Sequence, residues 1–213
     1  MLAGLASAFR TPDLRKKILF TLGLLAIYRL GAVVPTPGVD YAAIQRCVDI
    51  VQDNSLYGLI NLFSGGALLQ LSIFALGIMP YITASIILQL LVVVIPRLEA
   101  LKKEGSSGQA KITQYTRYLT IALAVLQGTT ILTLARTPVR LFQGCNEELI
   151  PNQSIPLILS MIIALTAGTA LIMWFGELIT DRGIGNGMSL LIFVSIISTM
   201  PGQFLRILQE KGP

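Results

Sequence analysis

Apolar residues run along this chain in long blocks separated by short polar segments. The block lengths are those of membrane spans, which need about 20 mainly apolar residues each. Residues 18–34 form the first block, interrupted by Arg29 alone. It ends at Val33-Val34-Pro35-Thr36-Pro37-Gly38, a helix stop followed by a turn. Residues 118–135, 154–176 and 187–201 are predicted as three further spans. Trp174 stands near one end of the 154–176 block, a depth where Trp is common.

The region between the first and third spans is the most informative. From Asn54 to Pro96 there are 43 residues without a charge. One helix of that length would measure about 65 Å, against a hydrocarbon core of about 30 Å. The segment must therefore break, and Ser64-Gly65-Gly66, Gly77 and Pro80 supply the breakers. The pattern predicts a half-helix over 59–71 and a full span over 73–95. Irregular backbone at membrane depth survives only when buried in protein or lining a watery cavity. The break thus points to a cavity or pore. A helical hairpin, or a surface helix followed by one ordinary span, is the simpler alternative.

Composition agrees with the pattern. The chain is 54% hydrophobic and 13% charged, against about 25% charged in soluble domains. Mean hydropathy is +0.73. An ordinary soluble globule and a disordered chain are both excluded. The 16 Lys and Arg against 11 Asp and Glu give a net charge of +5, and their positions decide what that means. Residues 1–17, 97–117 and 177–186 hold ten of the basic residues, while the segments assigned to the other side hold five. This asymmetry places the amino terminus and the 97–117 polar loop in the cytoplasm. It also argues against nucleic-acid binding, because no groove-reading motif accompanies the charge. No cleavable signal peptide is read at the amino terminus. Arg29 either snorkels to the interface or forms an ion pair inside the bundle.

Little in the chain could perform covalent chemistry. There is no histidine, so His-based acid–base catalysis and Cys/His zinc sites are absent from the sequence. Acid pairs fall in polar segments only: Glu99 and Glu104, Glu147 and Glu148, Glu177 and Asp181. The expectation is a protein that is not an enzyme and needs no cofactor or metal. Cys47 and Cys145 lie in loops assigned to the external side, where a disulfide and two free thiols both fit. Gly183-Ile184-Gly185-Asn186-Gly187 resembles a nucleotide loop only superficially, since no strand precedes it and the spacing is wrong. Uncharged residues remain inside the membrane. The aliphatics Ile78, Ile82 and Ile192 are either ordinary lipid or core positions or a hydrophobic constriction. Ser72, Thr83, Ser85, Gln89 and Gln127 could bond weakly across helices. A passive channel is the first reading. Half of a secondary transporter with a broken helix at its substrate site is the alternative, although no intramembrane acid supports it. A membrane scaffold would explain the spans but not the long uncharged break.

Several motifs resemble the SecY family, pore subunits of the general protein-translocation channel. They are Phe63-Ser64-Gly65-Gly66-Ala67-Leu68, Ser72 to Ile82, Lys102-Lys103-Glu104-Gly105, Gln114 to Tyr118 and Asp181 to Gly187. Tyr28-Arg29 and Pro35-Thr36-Pro37-Gly38 fit as well. The likeness covers nearly the whole chain except the external loops at 44–56 and 136–153. It implies an all-α integral membrane protein with five transmembrane helices and a re-entrant plug, one half of a ten-helix inverted-repeat channel. Residues 202–213 would lead to the hinge before a missing second half. The resemblance makes Ile78, Ile82 and Ile192 pore-ring residues. It makes Phe63, Ser64, Gly65, Gly66, Ala67 and Leu68 the plug, and Thr83, Ile86 and Gln89 one side of a lateral gate. The implied partners are SecE and SecG-type small subunits, the ATPase SecA or the ribosome, signal sequences, nascent polypeptides and membrane lipid. Loop 97–117 would assist docking. Many relatives carry a charge directly after the plug motif, but here Leu69-Gln70-Leu71 follows. That variant has a cyanobacterial or plastid character, which adds the thylakoid to the bacterial plasma membrane as an address.

Overall fold

The computed structural model describes residues 11–51, 64–136, 149–152 and 154–210. Among the described residues there are seven helices and no strand, with one isolated antiparallel bridge between Pro35 and Ser72. The helices are α1 Pro12–Val33, α2 Tyr41–Val51, α3 Met79–Val94, α4 Pro96–Lys103, α5 Ser106–Ala135, α6 Ile155–Arg182 and α7 Gly187–Glu210. Two of them, α5 and α6, are long and apolar enough to cross a membrane by themselves. The pair α3 and α4 would make a third span if counted as one, and it is bent by 100°.

The helix boundaries follow local chemistry. Helix α1 opens on Thr11 and Pro12 with Asp13 in the first turn, where a missing N–H costs nothing and a negative charge meets the positive end of the dipole. It therefore starts inside the basic flank rather than at residue 18. Helix α3 starts at Met79, later than the span read from the sequence. Pro80 occupies its first turn, and residues 65–78 run as successive turns around a single bridge position. Of the predicted half-helix over 59–71, Ser64 is helical and residues 65–71 are turns; residues 59–63, including Phe63, lie outside the described residues.

The polar 97–117 segment is helical rather than a loop. Leu98 to Lys103 are good helix formers, and Lys103 pairs with Glu99 one turn earlier at 2.6 Å. Gly105, at φ 78°, ends the short helix, and α5 begins directly after it. Helix α7 likewise continues through Pro201 to Glu210, past the predicted stop at Pro201-Gly202. A proline removes one backbone bond and crowds the preceding turn, but neighbouring turns can carry a helix across it.

Packing proceeds around α6, which touches α1, α5 and α7. Helices α5 and α6 are antiparallel, with Arg117 against Glu177 at one end and Gly128 beside Leu165 further along. Two apolar clusters result. One gathers α2, α5, the N-terminal part of α6 and Leu69, Leu71, Ala75 and Leu76. The other gathers α1, the C-terminal part of α6, α7 and Phe74 and Ile78. The turn segment 64–78 contributes to both and so sits at the centre of the bundle. Gly168 makes that approach feasible: a Cβ there would run into the carbonyl of Ile73. Elsewhere the surface is openly apolar, with Val93 78% and Val94 75% exposed. Such faces suit lipid, not water.

Candidate functional site

The central turn segment is anchored at its middle to the turn after α1. Ile73 donates its N–H to the Val34 carbonyl at 3.0 Å, and Thr36 donates to the Leu71 carbonyl at 3.0 Å. The Thr36 hydroxyl donates to the same carbonyl at 2.7 Å. Leu71 has φ 44°, a left-handed conformation unusual for a residue with a side chain. Two hydrogen bonds on its carbonyl and complete burial of its side chain hold it there. Next to it, the Ser72 hydroxyl is buried without a hydrogen-bond partner.

Upstream, Ser64 accepts the N–H of Leu68 on its hydroxyl oxygen at 3.1 Å and closes a local turn. The following glycine lies between the first and last helices. Arg29 donates from Nη1 to the Gly65 carbonyl at 3.1 Å. Among the described residues Arg29 makes this backbone contact and not the ion pair that was one of the two expectations for it. Beside it, the hydroxyls of Tyr28 and Ser195 meet at 2.7 Å, tying α1 to α7. The Tyr28 ring stacks on Phe74 at 5.8 Å between centroids.

Downstream, Ile78 is buried at the start of α3, and Ile82 and Ile192 pack against the same cluster. Isoleucines from two distant parts of the chain thus border one apolar cluster, Ile78 within it and Ile82 and Ile192 at its edge. Along α3, Ile86 and Gln89 are exposed. The Thr83 hydroxyl donates to the Met79 carbonyl at 2.9 Å, and the Gln89 side chain donates to Ser85 at 3.2 Å. Their polar groups are satisfied within their own helix, which leaves this face free of obligatory partners. Below it, a cavity of about 250 Å³ is lined by Tyr81, Ser85, Gln89, Lys102, Gln109 and Thr113, among others.

The glycine-rich stretch after α6 is a tight structural turn. Ile184 donates its N–H to the Thr21 hydroxyl at 3.3 Å, and Gly187 donates to the Thr180 hydroxyl at 2.9 Å. Asn186 accepts the N–H groups of Met188 and Ser189 on Oδ1 and caps α7. These bonds engage the N–H groups of Ile184, Gly187, Met188 and Ser189 within the protein. Cys47 is fully buried and disulfide-bonded, so it is not a free thiol. Cys145, the other cysteine of the chain, lies outside the described residues.

Sequence reasoning missed two pairings. Arg117 and Glu177 were both assigned to polar segments, yet they form a bidentate ion pair. Their common signal is position: each stands directly beside an apolar block in the sequence. Ser195 carried no signal at all, because a lone serine in an apolar run is ordinary. Among the described residues, no three His, Cys, Asp or Glu side chains gather into a metal-holding group.

A sequence model of the SecY family matches residues 72–211. The protein translocase subunit SecY of Streptomyces scabiei is 64% identical over 215 residues, which cover 100% of this chain and 49% of that protein. Its counterpart in Streptomyces coelicolor is 62% identical over 213 residues, covering 99% of this chain and 48% of the relative. The SecY subunit of Mycobacterium tuberculosis strain H37Rv is 56% identical over 215 residues, covering 100% and 48%. The chain spans about half the length of the curated relatives it matches. Their names leave the secondary-transporter reading unsupported, and their organisms lend no support to a cyanobacterial or plastid character.

Proposed function

The chain belongs to the SecY family, and from that premise we propose that it forms one half of a passive protein-conducting channel. In this reading α1, α3 with the turn segment before it, α5, α6 and the apolar part of α7 are five spans. The amino terminus faces the cytoplasm, and the membrane is the bacterial plasma membrane. The remainder of a full-length protein supplies the inverted second half. Unfolded secretory chains pass along the axis, and membrane segments leave sideways.

The observation that carries the proposal is that Ile78 lies in one apolar cluster and that Ile82 and Ile192, from α3 and α7, pack against that same cluster. An aliphatic constriction excludes water and ions yet gives way around an extended chain. In this reading the described part of the plug, Ser64 to Leu71, seals the constriction at rest; it precedes Ile78 in the same turn segment, and its Leu69 and Leu71 are buried in the bundle. Thr83, Ile86 and Gln89 form one side of the lateral gate. Weak local contacts there suit a surface that must open. A signal sequence opens the gate by binding the open state better than the closed one. The channel performs no bond chemistry. SecA or the ribosome supplies the drive, and SecE and SecG-type subunits complete the complex.

The test is site-specific photocrosslinking in the full-length subunit. A photoreactive residue replaces Ile82 while a stalled secretory chain is in transit. Crosslinks to that chain are expected. Labelling of lipid or neighbouring helices alone would remove Ile82 from the conduit and the channel reading with it.

A further inference from the structure

We propose that Arg29 is a latch that holds the plug segment in its resting position, an inference that rests on the channel reading above. An arginine within an apolar span is costly unless its donors find acceptors. Among the described residues no carboxylate pairs with Arg29; its hydrogen bond goes to the Gly65 carbonyl at 3.1 Å. The acceptor thus belongs to the one segment that must move if the pore is to open.

The surroundings are built for that contact. Gly65 has φ +65°, and a Cβ on it would lie 2.8 Å from Arg29 Nη1 and 3.3 Å from the Ser195 backbone. Only glycine fits this slot without a shift. The hydroxyl pair of Tyr28 and Ser195 closes the slot by joining α1 to α7 at 2.7 Å. Displacing the segment takes the carbonyl away and leaves a guanidinium without its acceptor in a poorly solvated place. A hydrogen bond to a charged donor then biases the equilibrium toward the resting position by roughly ten- to hundredfold. Moving the first and last helices apart loosens the slot, so their separation and plug release are coupled through this one side chain.

The experiment uses the full-length protein with its small subunits, reconstituted in membranes. Ala67, buried in the plug segment, becomes cysteine and reports its exposure by maleimide alkylation. Ala124, buried in the middle of α5, becomes cysteine as the control. Arg29→Gln should raise Ala67→Cys labelling at least about tenfold and leave Ala124→Cys labelling unchanged. Gly65→Ala, which crowds the slot from the other side, should do the same. It keeps the test open if Arg29→Gln folds poorly. Unchanged Ala67→Cys labelling in a folded variant overturns the latch, and so does an equal rise at both positions, which reports general loosening. Resting ion conductance in planar bilayers separates the two readings. Selective labelling with raised conductance supports both, whereas selective labelling with unchanged conductance keeps the latch and overturns the plug's sealing role.

Discussion

Arg117 and Glu177 face each other across the α5–α6 contact with two parallel hydrogen bonds, Nε to Oε1 and Nη2 to Oε2, each 2.8 Å. Gln114 accepts a further bond from Arg117 at 3.3 Å. The pair fastens the two longest apolar helices at one end. Glu177 is mostly covered, while the Arg117 side chain is 42% exposed, so water screens part of the attraction.

Arg117→Ala or Glu177→Gln should therefore cost only about 1 kcal/mol each. In a protein of this size that lowers the melting temperature in detergent by about 2–4 °C. A double-mutant cycle checks the coupling. The double variant should lose little more than either single one, and fully additive losses would show that the pair contributes nothing as a pair.

Tyr28 and Ser195 make an asymmetric prediction. Tyr28→Phe keeps the stack on Phe74, and Ser195 still has the Leu191 carbonyl as acceptor at 2.9 Å. The loss should be about 0.5–1.5 kcal/mol. Ser195→Ala strands a buried tyrosine hydroxyl and should cost about 1–3 kcal/mol. Thermal unfolding in detergent should rank Ser195→Ala below Tyr28→Phe, and the reverse order would contradict this account.

Gly168 is where α6 meets the turn segment. A methyl group there runs into the Ile73 carbonyl and side chain. Overpacking of this kind costs about 1–3 kcal/mol. Gly168→Ala should lower the melting temperature, and Gly168→Leu should abolish the folded state by gel filtration. A fully stable Gly168→Leu protein would mean that the two segments are not in contact.

The proposed isoleucine constriction predicts leakage. Ile78→Gly and Ile82→Gly in the full subunit should raise small-ion conductance across planar bilayers, while an outward apolar change such as Val93→Ala should not. Equal conductance in all three would detach the isoleucines from the seal.

Cys47 predicts a redox effect. Loss of its disulfide by Cys47→Ala should cost about 2–4 kcal/mol. Excess reductant should bring the unmodified protein down toward the variant's melting temperature and leave the variant unmoved. A reductant effect of equal size on both would locate the sensitivity elsewhere.

Sequence alone determined that this protein lives in a membrane and that its second apolar region breaks. Those conclusions rest on block length against bilayer thickness and on the scarcity of charge, both one-dimensional quantities. The glycine and proline breakers pointed to the irregular stretch before α3, because backbone restrictions at those residues are local. Sequence also supplied the family motifs, which named Ile78, Ile82 and Ile192 as candidates. Helix ends were less legible. The 97–117 segment looked like a loop because polarity and helicity are separate properties, and a charged helix at the membrane surface shows no apolar block. Partners were illegible altogether. The Gly65 carbonyl as the acceptor for Arg29, Ser195 as the mate of Tyr28 and Glu177 as the mate of Arg117 all join residues far apart in the chain. Such choices depend on which helices lie side by side, and only the tertiary packing decides that.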